Sequence, residues 1–304
     1  MLCALLLSGG ALAAPPSAAT LAAEVGWGHE SQTSPLVQIS PQGTLIFLGG
    51  LRRLAGSHWR ANLSGLRDWS LSGDFRLALA GDVHVKRSLQ TPDFDFLNAS
   101  LSPALRTSLG ERANVGIAGH WQHIDVAGEH FRKTRSLQVD WTCADGEGGH
   151  WVIMVDSGRN RHRGDLVDLD STSSTLLLQR HVEAPLPGID ALDLELYLVR
   201  EQNDRHFREL SSRSHLLHVS LERAWLGVTW SAGVAWQQAR FAAALLPTLP
   251  LRRDEAWTME LAAAVDLAPG RTLRVDYVGV RNDSNVALYQ NRYRQIGVAL
   301  QISW

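Results

Sequence analysis

Charged side chains dot one parity of several alternating stretches of this chain. Arg76, Asp82, His84 and Lys86 form one such set, and Asp140, Asp156, Asp193, Glu195, Glu222, Glu260, Asp266, Arg274 and Asp276 continue it. Carboxylates, imidazoles and cations gathered on one surface could do acid–base chemistry, hold a metal or line a path for ions. Some of that chemistry is excluded by pattern. No serine stands in a G-x-S-x-G elbow. His29, His58, His120 and His123 lack the spacing of zinc ligands. We therefore expect no catalytic residue, no metal and no cofactor. The charges instead fit a solvated interior, paired across strands. Two further polar runs belong to connections. Arg159–Arg163 (RNRHR) reads as a basic loop able to touch lipopolysaccharide phosphates, and Arg281–Asn285 (RNDSN) as a loop whose Asp and Asn turn the chain.

What must hold such groups on one surface is an alternating strand, and the C-terminal stretch is the clearest. Ile296, Val298, Leu300, Ile302 and Trp304 fall on one side, and Gln295, Gly297, Ala299, Gln301 and Ser303 on the other. An apolar wall, a small or polar wall and a terminal aromatic describe a strand of a transmembrane β-barrel. The competing reading is an amphipathic strand of a soluble sandwich. Recurrence decides between them. Phe75, Leu77, Leu79, Val83 and Val85 oppose Arg76, Ala78, Asp82, His84 and Lys86. Leu137, Val139 and Trp141 oppose Ser136, Gln138 and Asp140. The same alternation sets Leu192–Leu198 against Asp193, Glu195 and Tyr197, and Trp257, Met259 and Leu261 against Thr258 and Glu260. No helical period interrupts the series.

Connections alternate in length as well. Short turns are predicted at Gly110–Arg112, Asp145–Gly149, Arg223–Gly227 and Ala268–Gly270. Longer loops are predicted at Arg87–Asp95, Asp125–Thr134, Asn160–Asp168, Glu201–Arg213, Ala242–Asp254 and Asn282–Asn291. Trp141, Trp151, Trp225 and Trp304 sit near the short-turn end, and Trp121, Trp236 and Trp257 near the long loops. Two aromatic girdles anchored at the membrane interfaces are the physical reading. Arg76, Asp82, Lys86, Asp193, Glu195, Glu260, Asp266, Arg274 and Asp276 are then the charged groups of the lumen. The fold expected is all-β, an antiparallel transmembrane barrel of about 14 strands, with twelve and sixteen also allowed. Residues 20–30 alternate weakly, Ser31–Gly43 has the composition of a loop, and Thr44–Arg53 and His58–Trp69 are two expected strands. In lipid the sheet must close, since an open edge would leave N–H and C=O groups unpaired.

Composition agrees. The chain has 304 residues, of which 20% are charged, and a net charge of -2. Scattered basic residues leave no footprint for nucleic acid. Past the first residues no apolar run is long enough for a spanning helix. Residues 1–18 read as the apolar core of an export signal with an A-x-A site, leaving 19–304 as one barrel domain. Cys143 then has no intrachain partner.

Leu251–Asp254 (LRRD), Arg281–Tyr289 (RNDSNVALY) and the final strand resemble the C-terminal barrel of the surface lipoprotein assembly modifier family of Gram-negative outer membranes. Weaker similarity runs back through SLQVDW (136–141) to GWGHES (26–31). The resemblance implies a 14-stranded barrel that helps a lipoprotein cargo reach the cell surface without covalent chemistry. It also implies partnership with outer-membrane lipid, including lipopolysaccharide, and with the barrel-assembly machinery that reads an aromatic-terminated last strand. Family members carry a helical-repeat domain before the barrel, and this chain shows no repeat of about 34 residues. The alternative expectation is a passive porin-like channel for small solutes.

Overall fold

A computed structural model describes residues 19–39, 45–71, 74–90, 95–146, 148–244 and 249–304. The expected signal at 1–18 lies outside the described residues. Fourteen strands run up and down in chain order: β1 (Ala19–Ile39), β2 (Leu45–Ser70), β3 (Phe75–Ser88), β4 (Phe96–Leu109), β5 (Ala113–Val126), β6 (Glu129–Ala144), β7 (Gly149–His162), β8 (Ser171–Leu186), β9 (Ile189–Asn203), β10 (Ser212–Trp225), β11 (Val228–Phe241), β12 (Arg253–Ala268), β13 (Arg271–Ser284) and β14 (Asn291–Ser303). Each pairs antiparallel with its sequence neighbour, and β1 pairs with β14 to close the barrel. Closure removes both sheet edges, as a spanning sheet requires. No described helix is long and apolar enough to cross a membrane.

The large apolar side chains are on the outside. Val25, Leu63, Leu137, Val155, Leu217, Val234, Met259 and Ile296 are all exposed. The interior holds little apolar packing: its one cluster among the described residues is Ala78, Ala104 and Ala118. A soluble sandwich would invert this, with its leucines and valines between two sheets. An outward apolar wall around a polar interior is the barrel arrangement.

Tight turns close one end. At Leu226–Gly227 both residues take positive φ, 51° and 75°, which matches the right-handed twist of a two-residue hairpin. Three differences from the sequence reading stand out. First, Asp125–Thr134 is not a long loop. Ala127 and Gly128, with φ of 56° and 79°, turn β5 directly into β6. Polar composition suggested a loop, but these polar residues occupy strand rims. Second, β1 continues through Ser31–Ile39, and the two segments expected at 44–53 and 58–69 are one strand, β2. β1 pairs with β14 only as far as Thr33, so the rest of the β1–β2 hairpin stands above the wall. Third, Arg159–His162 belong to strand β7, and the loop follows them at 163–170. β8 also went unread, because consecutive Leu176, Leu177 and Leu178 blur the alternation.

Candidate functional site in the barrel lumen

Strand parity places Asp82, Lys86, Asp193, Glu195, Glu260 and Asp276 on the inner wall. Arg76, Arg274 and Asp266 share that face but lie exposed near the short-turn end. Residues 91–94, within one predicted long loop, lie outside the described residues. Outside β4–β6, which carry Arg106, Arg132 and Asp140 on the inner face, the inner charges fall into two arcs with different logic.

The first arc, β13–β14–β1–β2–β3, is paired. Glu30 is 4% exposed and accepts from the Lys86 ammonium at 2.9 and 3.1 Å and from the Tyr293 hydroxyl at 3.0 Å. Fully buried His58 stands beside it at 3.9 Å. Arg60 reaches Glu24 at 3.2 Å and donates to Asp276 at 3.1 Å, with a second, shorter bond to the same carboxylate. Charge-assisted bonds of this kind are the stronger class. Glycines make room for them. A Cβ on Gly28 would meet the His58 ring at 2.8 Å, and one on Gly297 would meet both Arg60 and Asp276 at 3.2 Å. The two glycines oppose one another across the β1–β14 seam. Glu30, Arg60 and Tyr293 escaped the sequence reading, and His58 entered it only as a histidine without zinc-ligand spacing, though the parity of Gly26, Gly28 and Glu30 against Val25, Trp27 and His29 was there to be read.

The second arc, β7–β12, is sorted. Every arginine of these six strands (Arg159, Arg161, Arg180, Arg200, Arg213, Arg223, Arg240 and Arg253) falls on the outward face, and they contain no lysine. Their carboxylates face in, namely Asp156, Glu183, Asp193, Glu195, Glu201, Glu222, Asp254, Glu260 and Asp266, with outward Glu255 and Asp190 as the exceptions. Below the rim, where Arg252 holds Asp254, the inward partners of Asp193 and Glu195 are imidazoles and a hydroxyl. His181 meets Asp193 at 2.8 Å, and His218 and the Tyr197 hydroxyl meet Glu195 at 3.2 and 3.1 Å. This wall therefore keeps an acidic field across the lumen.

At the rim, the sequence motifs LRRD and RNDSNVALY prove to be one structure. Asn285 accepts from the Arg253 N–H and donates to the Leu251 carbonyl, both at 2.7 Å. Arg252 lies 3.2 Å from the Tyr289 ring centroid, a cation–π contact, and grips Asp254. On the β7–β8 rim, burial works against the charge of Asp170. The His162 N–H and the Arg161 guanidinium outweigh it and hold the carboxyl below the usual carboxylate range.

One group has the residue types for a metal. His123 lies 2.8 Å from the Asp125 carboxylate and His130 lies 3.4 Å from it, at the tip of the β5–β6 hairpin. The two rings stack at 4.6 Å and 7°, so their lone pairs run side by side instead of converging. Asp125 Oδ1 and His130 Nδ1 are buried there with no hydrogen-bond partner among the described residues.

The tryptophans face outward. Trp141, Trp151, Trp225 and Trp304 stand toward the short-turn end, and Trp121, Trp236 and Trp257 toward the other. Trp27 and Trp59, opposed across β1–β2, join them. Glu255 accepts from the indole N–H of both Trp236 and Trp257, at 3.0 and 3.2 Å.

These features define a multi-pass transmembrane β-barrel of the Gram-negative outer-membrane class. In fold the chain is similar to OccK9 (OpdG) of Pseudomonas aeruginosa, with a TM-score of 0.52 at 9% identity, covering 94% of this chain and 98% of that one. It is also similar to a loop L8 deletion mutant of OmpT, an outer membrane protein of Vibrio cholerae, with a TM-score of 0.51 at 8% identity, covering 95% and 100%. At such identity the likeness is one of fold alone. No protein-family model and no curated protein matches the sequence.

Proposed function

We propose that this barrel is a passive channel for small solutes, with a preference for cations. The observation that carries the reading is the sorted arc, where the carboxylates of strands β7–β10 and β12 mostly face the lumen and the arginines of β7–β12 face away. The strand number supports it: fourteen strands enclose more space than side chains fill at about eight. Low-dielectric walls lined by one sign of charge concentrate counter-ions. Solutes pass without covalent chemistry.

Planar bilayers provide the test. The purified protein should give stepwise conductance, and a KCl gradient should give a reversal potential on the cation side. Asp193→Asn/Glu195→Gln/Glu260→Gln should move that potential toward zero while conductance persists. Bilayers that stay silent across many insertions would overturn the channel.

A second reading has one observation behind it. The motifs behind the resemblance to the surface lipoprotein assembly modifiers interlock through Asn285 and Arg252 into a single rim element. Under that reading the barrel helps display a lipoprotein, and the tryptophan girdles and lipid partners serve the same end. Deleting the gene would leave the cargo shielded from protease added to whole cells. Unchanged cleavage would sink it.

A further inference from the structure

Four arginines far apart in sequence stand side by side on the outer wall. Arg200 opposes Arg213, Arg213 opposes Arg240, and Arg240 opposes Arg253, across β9, β10, β11 and β12. All four are exposed at the ends of their strands away from the tight turns. At interstrand spacings of about 4.8 Å the row spans about 14 Å.

Like charges placed directly opposite repel, so a row of four asks for an anion. The chain does not supply it. Among the described residues no carboxylate forms an ion pair with any of the four, and the one side-chain bond to an acceptor runs from Arg240 to Gln238 at 3.2 Å. Arg161, by contrast, is held by Asp170 at 2.9 Å and Asp204 at 3.1 Å. The neighbourhood fixes the depth. Trp236 and Trp257 oppose each other on β11 and β12, four residues before Arg240 and four after Arg253. Their indoles point outward below the row, which sets the guanidiniums at or above headgroup level. The same outward wall continues to the seam, where a cavity of about 220 Å³ is lined by Ser31, Thr33, Arg292 and Arg294. Guanidiniums present a planar fork that fits phosphate oxygens two at a time.

From this row we infer that the β9–β12 rim binds the phosphate groups of an anionic outer-leaflet glycolipid. The lipid's phosphates relieve the repulsion within the row, and its acyl chains lie against the apolar wall below. Placement in the membrane is required for this; solute conduction is not.

The test uses the full barrel in neutral-lipid nanodiscs, titrated with diphosphorylated lipid A and followed by native mass spectrometry. Arg213→Gln/Arg240→Gln should weaken binding about tenfold, the loss expected for charged hydrogen bonds. Arg213→Lys/Arg240→Lys should fall between, since charge remains but the fork is gone. Arg223→Gln, outward at the opposite end, should bind as wild type does. Binding should also weaken with added salt, as expected for exposed charges. A double Gln variant that still shows the heat-dependent gel shift of a folded barrel yet binds lipid A like wild type would overturn the assignment. Equal competition by millimolar inorganic phosphate would also overturn it, as would equal binding of dephosphorylated lipid.

Discussion

The two arcs of the inner wall solve one problem in opposite ways. In β13–β14–β1–β2–β3, cations and anions share the lumen and satisfy each other, with glycines cleared to let Arg60 and His58 lie flat. In β7–β12 the signs are separated by the wall itself, and Asp193 and Glu195 rely on histidine and hydroxyl partners. Pairing stabilises a wall but cancels its field. Sorting leaves the field and places the unused cations on the outer wall. The first arc reads as structure and the second as function.

Breaking the sorted arc's parity should have the largest effect. Leu194→Arg or Leu261→Arg puts a charge into the apolar band and should cost about 2–4 kcal/mol of folding into vesicles. Glu195→Arg or Glu260→Arg, one residue away and facing water, should fold nearly as wild type does. Equal damage from both sets would mean the faces are reversed. Next, Arg60→Ala leaves Asp276, which is 8% exposed, and Glu24 without their guanidinium. It should cost about 1–3 kcal/mol, seen as earlier loss of the compact band on heating. His218→Ala in the sorted arc should cost about 1 kcal/mol or less. If the histidine proves the costlier loss, the contrast between arcs fails.

A smaller effect is expected at Trp304, whose backbone exchanges hydrogen bonds with Leu21 at 2.9 and 3.3 Å. Trp304→Phe should assemble normally, while Trp304→Ala should lower the yield of folded barrel in outer-membrane fractions. Unaltered yield from the alanine variant would remove the aromatic signal. The smallest effect is a pH response at the β7–β8 rim. Because the Asp170 pKa is depressed, its clasp with Arg161 contributes fully above the ordinary carboxylate range and is lost as pH falls through the lowered value. Hydrogen exchange in residues 163–170 should therefore stay slow at pH 5 and rise only in stronger acid. An increase already at pH 5 would contradict the clasp.

From Phe75 onward most of the wall was legible, because leucine, valine and tryptophan alternate with charged residues there. β1 and β2 were not, since Gly, Ser, Pro and Arg supply little apolar contrast, and the rims were not, since polar strand ends share the composition of loops. The inward charges could be read by parity alone. Their partners could not: Arg60 and Asp276 stand 216 residues apart, and only the register brings them together. The arginine row was invisible for the same reason.

That long-range contact has a kinetic consequence. Arg60 on β2 reaches Asp276 on β13, so it bridges both strands of the seam, and Tyr293 and Glu30 tie those two strands directly. Twelve residue pairs run alongside. None of these contacts exists until the chain's two ends have met, so they contribute nothing to the early stages of assembly and all of it to the barrier against reopening. The seam should behave as a one-way latch: slow to find, and slower still to release.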